Sequence, residues 1–103
     1  MYNIDKIEII INNINDTINV LVMPDNHKAY KDNKEIDIDD TFINRLLNNI
    51  CLWDKSYVDN SIIDANSYTV KVYTKEGVDT YTGKGKYPDN YPEFLELLGD
   101  LDG

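Results

Sequence analysis

The chain has 103 residues, with 19 Asp and Glu against 10 Lys and Arg, so its formal net charge is −9 at pH 7. This length predicts a single domain over residues 1–103, because two cores would each be too small to hold. The negative charge repels nucleic acid and attracts basic proteins, so direct nucleic-acid binding is not expected. With 42% hydrophobic and 28% charged residues, the composition is typical of a globular domain.

The first third of the sequence predicts a hairpin, with strands over residues 6–11 and 17–23. Apolar side chains alternate along both strands and form one face from Ile7, Ile9, Ile11, Ile18, Val20 and Val22. The Asn and Asp cluster over residues 12–16 is typical of a turn, and Pro24 ends the second strand. Residues 28–38 leave open whether a short third strand follows.

A helix is predicted over residues 41–53. Its apolar side chains recur at helical spacing, as Ile43, Leu46, Leu47, Ile50 and Trp53. Asp39 or Asp40 can cap this helix, because a carboxylate accepts hydrogen bonds from free backbone N–H groups. Cys51, the only cysteine, excludes an intrachain disulfide, and its apolar neighbours predict a buried thiol and a reducing compartment.

After an irregular connector over residues 54–66, a second hairpin is predicted from strands over residues 67–74 and 78–82. A final helix follows, for which Asn90 and Glu93 have the spacing of a capping box. Its apolar stripe consists of Phe94, Leu97, Leu98 and Leu101. The predicted fold is therefore α+β in the order β-β-(β)-α-β-β-α, an antiparallel sheet of four to five strands with two helices packed on one face.

Catalytic and metal-binding patterns are weak throughout the sequence. His27 is the only histidine, so a triad or a His-based metal set is not expected. The acids of residues 37–40 and 100–103 lack the spacing of a calcium loop, and the glycines and lysines of residues 83–86 lack that of a phosphate loop. We therefore expect no enzyme activity, cofactor or metal.

No stretch approaches the roughly 20 apolar residues that span a bilayer, and the first residues lack the features of a signal peptide. A cytoplasmic protein without membrane contact is the expectation. Its partner is expected to be a protein, and the negative charge favours a basic one. The sequence leaves open whether the chain forms a homodimer.

The candidate partner-binding residues are acids and tyrosines. One acidic group precedes the first helix, and the other recurs at helical spacing along the last helix. The candidates from both groups are Asp37, Asp39, Asp40, Asp89, Glu93, Glu96 and Asp100. For any acidic helix taken alone, a solvated face is the commoner interpretation. The tyrosine candidates are Tyr73, Tyr81 and Tyr87. Tyrosines among lysines could stack single-stranded nucleic acid, but the net charge favours a core or protein-interface role.

The chain resembles known proteins in two ways, one structural and one of general type. The segments 68–74, 81–88 and 93–95 look like the tails of many small proteins of low-GC Gram-positive bacteria. The shared features are the end of a strand, a proline and a capped helix. In size, acidity and lack of catalytic groups, the chain also resembles phage anti-CRISPR proteins and toxin-immunity proteins, a likeness of type that assigns no residues. It implies a non-enzymatic inhibitor of a basic, nucleic-acid-handling protein, acting as a nucleic-acid mimic, or alternatively an immunity protein that neutralises a cognate toxin.

Overall fold

A computed structural model describes residues 3–62 and 66–102, so the predicted connector is seen except for residues 63–65. The described chain forms seven strands and two α-helices, with short 3₁₀ turns at Pro24–Asn26 and Asp100–Asp102. In chain order the elements are β1 (Ile4–Asn12), β2 (Thr17–Met23), β3 (Lys28–Lys31), β4 (Lys34–Asp37), α1 (Asp40–Ile50), β5 (Ser56–Val58), β6 (Ser67–Thr74), β7 (Gly77–Lys84) and α2 (Tyr91–Gly99).

The seven strands form one sheet in the order β4-β3-β2-β1-β6-β7-β5. Every pairing is antiparallel except that of β5 with β7, which is parallel. The α+β class and the two helices are thus confirmed. The prediction of four to five antiparallel strands is wrong, because the sheet is larger and mixed.

The two extra pairings have identifiable physical causes. Residues 28–38 form the β3–β4 hairpin, whose two turn residues Asp32 and Asn33 both have positive φ angles, of 51° and 71°. Asn and Asp tolerate this conformation, which two-residue hairpins need. Strand β5 has only three residues, too few for a periodic signal, and its pairing depends on hydrogen bonds to the edge of β7, including that from the Thr82 N–H to the Lys55 carbonyl at 2.9 Å.

Both helices lie on one face of the sheet and enclose the hydrophobic core. The strand positions predicted to share a face do so, and Ile7, Ile9, Val22 and Val70 are completely buried. Of the helix side chains predicted to form apolar stripes, Ile43, Leu46, Ile50, Phe94, Leu97, Leu98 and Leu101 are buried, whereas Leu47 is only partly buried at the edge of the core. Apart from Leu47, the stripes of the helices therefore predicted their core residues correctly.

The end of α1 differs from the prediction. Asp39 caps the helix as expected, since its carboxylate accepts a hydrogen bond from the Phe42 N–H at 2.9 Å. The helix ends at Ile50 rather than at Trp53, although Trp53 is buried. Cys51 follows the last helical residue and is exposed, so the expectation of a buried thiol is wrong.

The predicted capping box of α2 does not form, although Asn90 occupies the N-cap position. The Asn90 side chain instead accepts a hydrogen bond from the Trp53 indole N–H at 2.6 Å and donates one to the Asn49 carbonyl at 3.1 Å. A buried indole N–H needs an acceptor. Asn90 therefore joins the end of α1 to the start of α2 rather than closing the first turn of its own helix.

An aromatic cluster of Trp53, Tyr68, Tyr87, Tyr91 and Phe94 fills the core between β6 and α2. Tyr68, only 1% exposed, lies across from Gly83 in the β6–β7 register. Its hydroxyl group has no hydrogen-bond partner among the described residues. Burial raises the pKa of Tyr68 above its ordinary value of 10.0 and raises that of Tyr91 to about 12.

The two buried tyrosines, Tyr68 and Tyr91, are expected to make the fold unstable at high pH. Because the pKa of each is higher in the folded than in the unfolded state, the stability they contribute is complete below pH 10 and is lost as the pH rises from there towards the folded values. Tyr68→Phe removes one of these ionisations and an unpaired buried hydroxyl. We expect it to leave stability at pH 7 unchanged or raise it by about 1 kcal/mol, and to move the alkaline unfolding midpoint upwards. Circular dichroism between pH 8 and pH 12 measures this, and a midpoint equal to that of the wild type would contradict it.

Candidate partner-binding surface

The last helix carries an acidic stripe formed by Asp89, Glu93, Glu96 and Asp100. Asp89 precedes α2, Glu93 and Glu96 lie on it, and Asp100 is its C-cap residue in the right-handed helical conformation. Residues three or four apart on a helix are neighbours, so Glu93, Glu96 and Asp100 share one side of α2, and Asp89 lies one residue before its N-cap. All four are exposed, and none of them takes part in an ion pair within the described part of the chain.

Helix stability does not explain the acidic stripe. Glu93 lies in the first turn of α2, where a negative charge is favourable, but the last turn contains no basic residue. Negative charge near a helix C-terminus opposes the helix dipole and typically costs about 0.3–1 kcal/mol. Asp100 lies at that end of α2, so its charge works against the helix that carries it.

The acidic group before α1 has a different role. Asp37 forms an ion pair with Lys28, and this contact raises the pKa of the Lys28 ammonium. Asp39 caps α1, and an oxygen of the Asp40 carboxylate lies 2.9 Å from Nε2 of His27. These three candidates are therefore engaged in local contacts that shape the β3–β4 hairpin and the start of α1.

The structure does not bring the three candidate tyrosines together. Tyr73 lies on the sheet face away from the helices, where its hydroxyl donates to Glu8 at 3.2 Å. Tyr81 lies on the helix side of β7 with the Lys55 ammonium 4.4 Å from its ring centroid. Tyr87 follows β7, stacks on Tyr91 with ring centroids 4.9 Å apart, and donates its hydroxyl to the Asn66 carbonyl. They form three separate features rather than one surface.

A groove that the sequence analysis did not predict runs between α2 and the adjoining ends of β1 and β2. We call it the α2 groove, and it has a volume of about 440 Å³. Its apolar and aromatic lining includes Ile11, Ile18, Tyr87, Tyr91, Leu95 and Leu98, and its polar lining comes from Asn13, Lys31 and Asn66. The one sequence signal for it is Leu95, an apolar residue outside the buried stripe of α2. Leu95 is 41% exposed.

A second concavity of about 460 Å³ lies on the sheet face away from the helices, lined by residues that include Glu8, Ile10, Leu21 and Tyr30. Its lining mixes apolar, amide and charged side chains. One acid there is already engaged, since Glu8 forms an ion pair with Lys6. Antiparallel sheets commonly leave one face to solvent, so this concavity alone indicates no partner.

Among residues 3–62 and 66–102, no group of three or more His, Cys, Asp or Glu side chains is arranged to hold a metal ion. His27 adopts a left-handed conformation after the Pro24–Asn26 turn and contacts Asp40. The Cys51 thiol donates a hydrogen bond to the Asn48 carbonyl at 3.2 Å. Neither of the two helices is long and apolar enough to cross a membrane in the part that the structure describes.

No protein-family model, curated protein or solved structure matches this chain. The acidic stripe and the α2 groove beside it are therefore the features on which a function has to be argued.

Proposed function

We propose that this chain is a non-enzymatic inhibitor that binds a basic, nucleic-acid-handling protein through its acidic stripe. The observation that supports the proposal most directly is the set of exposed carboxylates of Glu93, Glu96 and Asp100 on one side of α2, with Asp89 just before the helix. None of the four takes part in an ion pair among the described residues. Residues 87–103 contain five acids and no base. Such a concentration of one charge attracts a basic surface and speeds its approach.

The spacing of the stripe suits mimicry of a nucleic-acid backbone. Glu93 and Asp100 are seven residues apart, or about 10 Å along the helix at 1.5 Å per residue. With Glu96 between them, neighbouring charges lie about 5 Å apart along that axis. One DNA strand carries a phosphate about every 3.4 Å of helix axis. A row of lysines and arginines that binds a phosphate backbone would therefore meet a comparable line of charge on α2.

The CRISPR effector of a host bacterium is the first target we propose, which would make the chain a phage anti-CRISPR protein of the cytoplasm. The alternative is an immunity protein that neutralises a cognate toxin, since the same charge argument applies to any basic toxin. The neighbouring genes separate the two: phage genes favour the first, and a toxin gene directly upstream favours the second. Isolation of the partner from the source cell with the tagged chain identifies the protein for the measurements below.

Reversal of the stripe is the main test. We expect the triple variant Glu93→Lys, Glu96→Lys, Asp100→Lys to bind the purified partner more weakly, because the charges that attract it have changed sign. For the unmodified chain, association should slow by roughly 10- to 1,000-fold from low to high salt, since electrostatic steering falls steeply with ionic strength. Stopped-flow association rates at several salt concentrations measure both effects.

A matched control separates the stripe from net charge. Asp5, Asp54 and Glu76 are exposed acids outside the stripe, and changing these three to Lys alters the net charge by the same amount. The control should retain most of the affinity and salt dependence, and both variants should keep the circular dichroism spectrum of the fold. Binding that is indifferent to salt and to the stripe reversal would contradict the proposal and direct attention to the tyrosines.

A further inference from the structure

The α2 groove and the acidic stripe flank the exposed surface of α2 from opposite sides. At 100° per residue, Tyr91, Leu95 and Leu98 line the groove from one side of α2, while Glu93 and Glu96 lie on the other side of its exposed surface. Pro92 and Gly99 occupy the surface between them, seven residues apart and therefore on the same side. A partner lying across α2 would contact groove and stripe together.

We propose that the α2 groove binds an apolar side chain of the basic partner, while the acidic stripe pairs with lysines or arginines next to that side chain. This inference rests on the proposed function and names where the partner is anchored. A buried apolar anchor surrounded by charged contacts is the usual anatomy of a protein interface, in which the anchor supplies much of the affinity and the rim supplies steering.

The walls of the groove are held in place by contacts within the chain. Tyr87 is fixed by stacking on Tyr91 and by its hydrogen bond to the Asn66 carbonyl. Tyr91 in turn stacks on Phe94 with ring centroids 5.8 Å apart. The Lys31 ammonium donates to the Leu98 carbonyl at 3.2 Å on the side facing the strands. A groove with fixed walls binds a side chain without a large cost for ordering its own residues.

Gly99 keeps the surface between groove and stripe low. A Cβ atom added at Gly99 would meet no atom within 4 Å, so packing does not require glycine there. Glycine in a helix costs about 1 kcal/mol relative to alanine, and the Asp100 carboxylate follows directly in the sequence. The absence of a side chain at this position leaves room for a partner backbone to pass from the stripe to the groove.

The groove is larger than one amino-acid side chain, so it can admit an apolar side chain together with the backbone next to it. Its volume of about 440 Å³ lies within the range of about 300–1,000 Å³ that is typical of ligand pockets. Leu95, Leu98, Ile11 and Ile18 offer apolar contact. The carboxylates beyond Pro92 and Gly99 favour an occupant that carries positive charge on that side. The one lysine of the lining, Lys31, lies on the strand side, where it donates to the Leu98 carbonyl.

Two synthetic peptides test the inference on the full chain. One has the sequence Lys-Lys-Leu-Lys-Lys and the other has Ser in place of Leu, and both are titrated at low salt into the isotopically labelled protein while its amide NMR signals are followed. We expect the Leu peptide to bind about tenfold more tightly, because burying a leucine contributes on that order. It should shift the signals of Tyr91, Leu95 and Gly99 more than the Ser peptide does.

Two exposed leucines give a matched pair of variants. Leu95→Ser removes part of the groove wall and should abolish the preference for the Leu peptide. Leu52→Ser makes the same change at a residue that is 75% exposed and does not line the groove, and it should leave the preference intact. Gly99→Phe, which places a ring between groove and stripe, should also weaken the Leu peptide more than the Ser peptide.

The outcomes distinguish this inference from the proposed function. Equal binding of both peptides, with weakening by Glu93→Gln and Glu96→Gln, would overturn the anchor site and leave the stripe standing. Binding indifferent to those two variants, or no binding of either peptide, would overturn both. Groove signals that shift with protein concentration alone would show a second copy of the chain as the occupant, which also contradicts the inference.

Discussion

Replacement of Gly83 by valine is expected to lower the free energy of unfolding by about 3 kcal/mol, the upper part of the usual range for overpacking. A Cβ atom at Gly83 would lie 2.1 Å from Cε2 of the Tyr68 ring, far inside van der Waals contact. The ring cannot simply withdraw, because it packs against Trp53 and Tyr91 with centroid distances of 5.2 Å to each. Urea unfolding followed by tryptophan fluorescence measures the loss.

The cause of that loss can be isolated with a double-mutant cycle. If the clash with the Tyr68 ring is responsible, Gly83→Val should cost much less in a Tyr68→Leu background, and the coupling should exceed about 1 kcal/mol. Gly99→Ala is the control glycine, because its Cβ meets no atom within 4 Å, and it should not reduce stability. Additive effects of the Gly83 and Tyr68 changes would mean that the ring yields and that the close approach is not the constraint.

The pairing of Tyr68 with Gly83 also shows what periodicity can predict and what it cannot. Alternation along β6 groups Tyr68 with Val70 and Val72, because residues two apart in a strand point the same way, and all three are buried. It gave no reason for a glycine at position 83, which sequence analysis interprets only as a strand exit. That reason lies in a cross-strand contact between residues 15 positions apart, and such contacts carry no local signal.

The elements that were missed share a similar cause. β3 and β4 have four residues each, so their short alternation left a strand there open rather than predicted, and β5, with three residues, carries no periodic signal at all. Asn90 shows the same limitation for a motif. The spacing to Glu93 predicted a capping box, but the Trp53 indole N–H donates to the side-chain amide oxygen of Asn90. A tertiary hydrogen bond replaced a local one.

The candidate site was predictable in part. Helical spacing alone indicated that Glu93 and Glu96 would share an exposed side of α2, and both are exposed. Spacing could not reveal that Asp37 pairs with Lys28 across the β3–β4 hairpin, since that hairpin was itself not predicted. The α2 groove was missed because it depends on where α2 lies relative to β1 and β2, which only the folded arrangement determines.

Truncation of Leu46 to alanine is expected to lower the free energy of unfolding by about 2–5 kcal/mol, because it removes buried methyl groups and leaves a cavity. Leu46 is 0% exposed in the middle of the α1 stripe, whereas Leu52, just beyond the end of α1, is 75% exposed. Leu52→Ala makes the same chemical change at a solvated position and should alter stability by less than about 0.5 kcal/mol. Urea titrations of both variants with a common m-value measure the difference. A loss below about 0.5 kcal/mol for Leu46→Ala would mean that α1 does not pack on the sheet through this stripe. The position of the acidic stripe would then also need revision, because α1 and α2 are joined by the hydrogen bond from the Asn90 side chain to the Asn49 carbonyl.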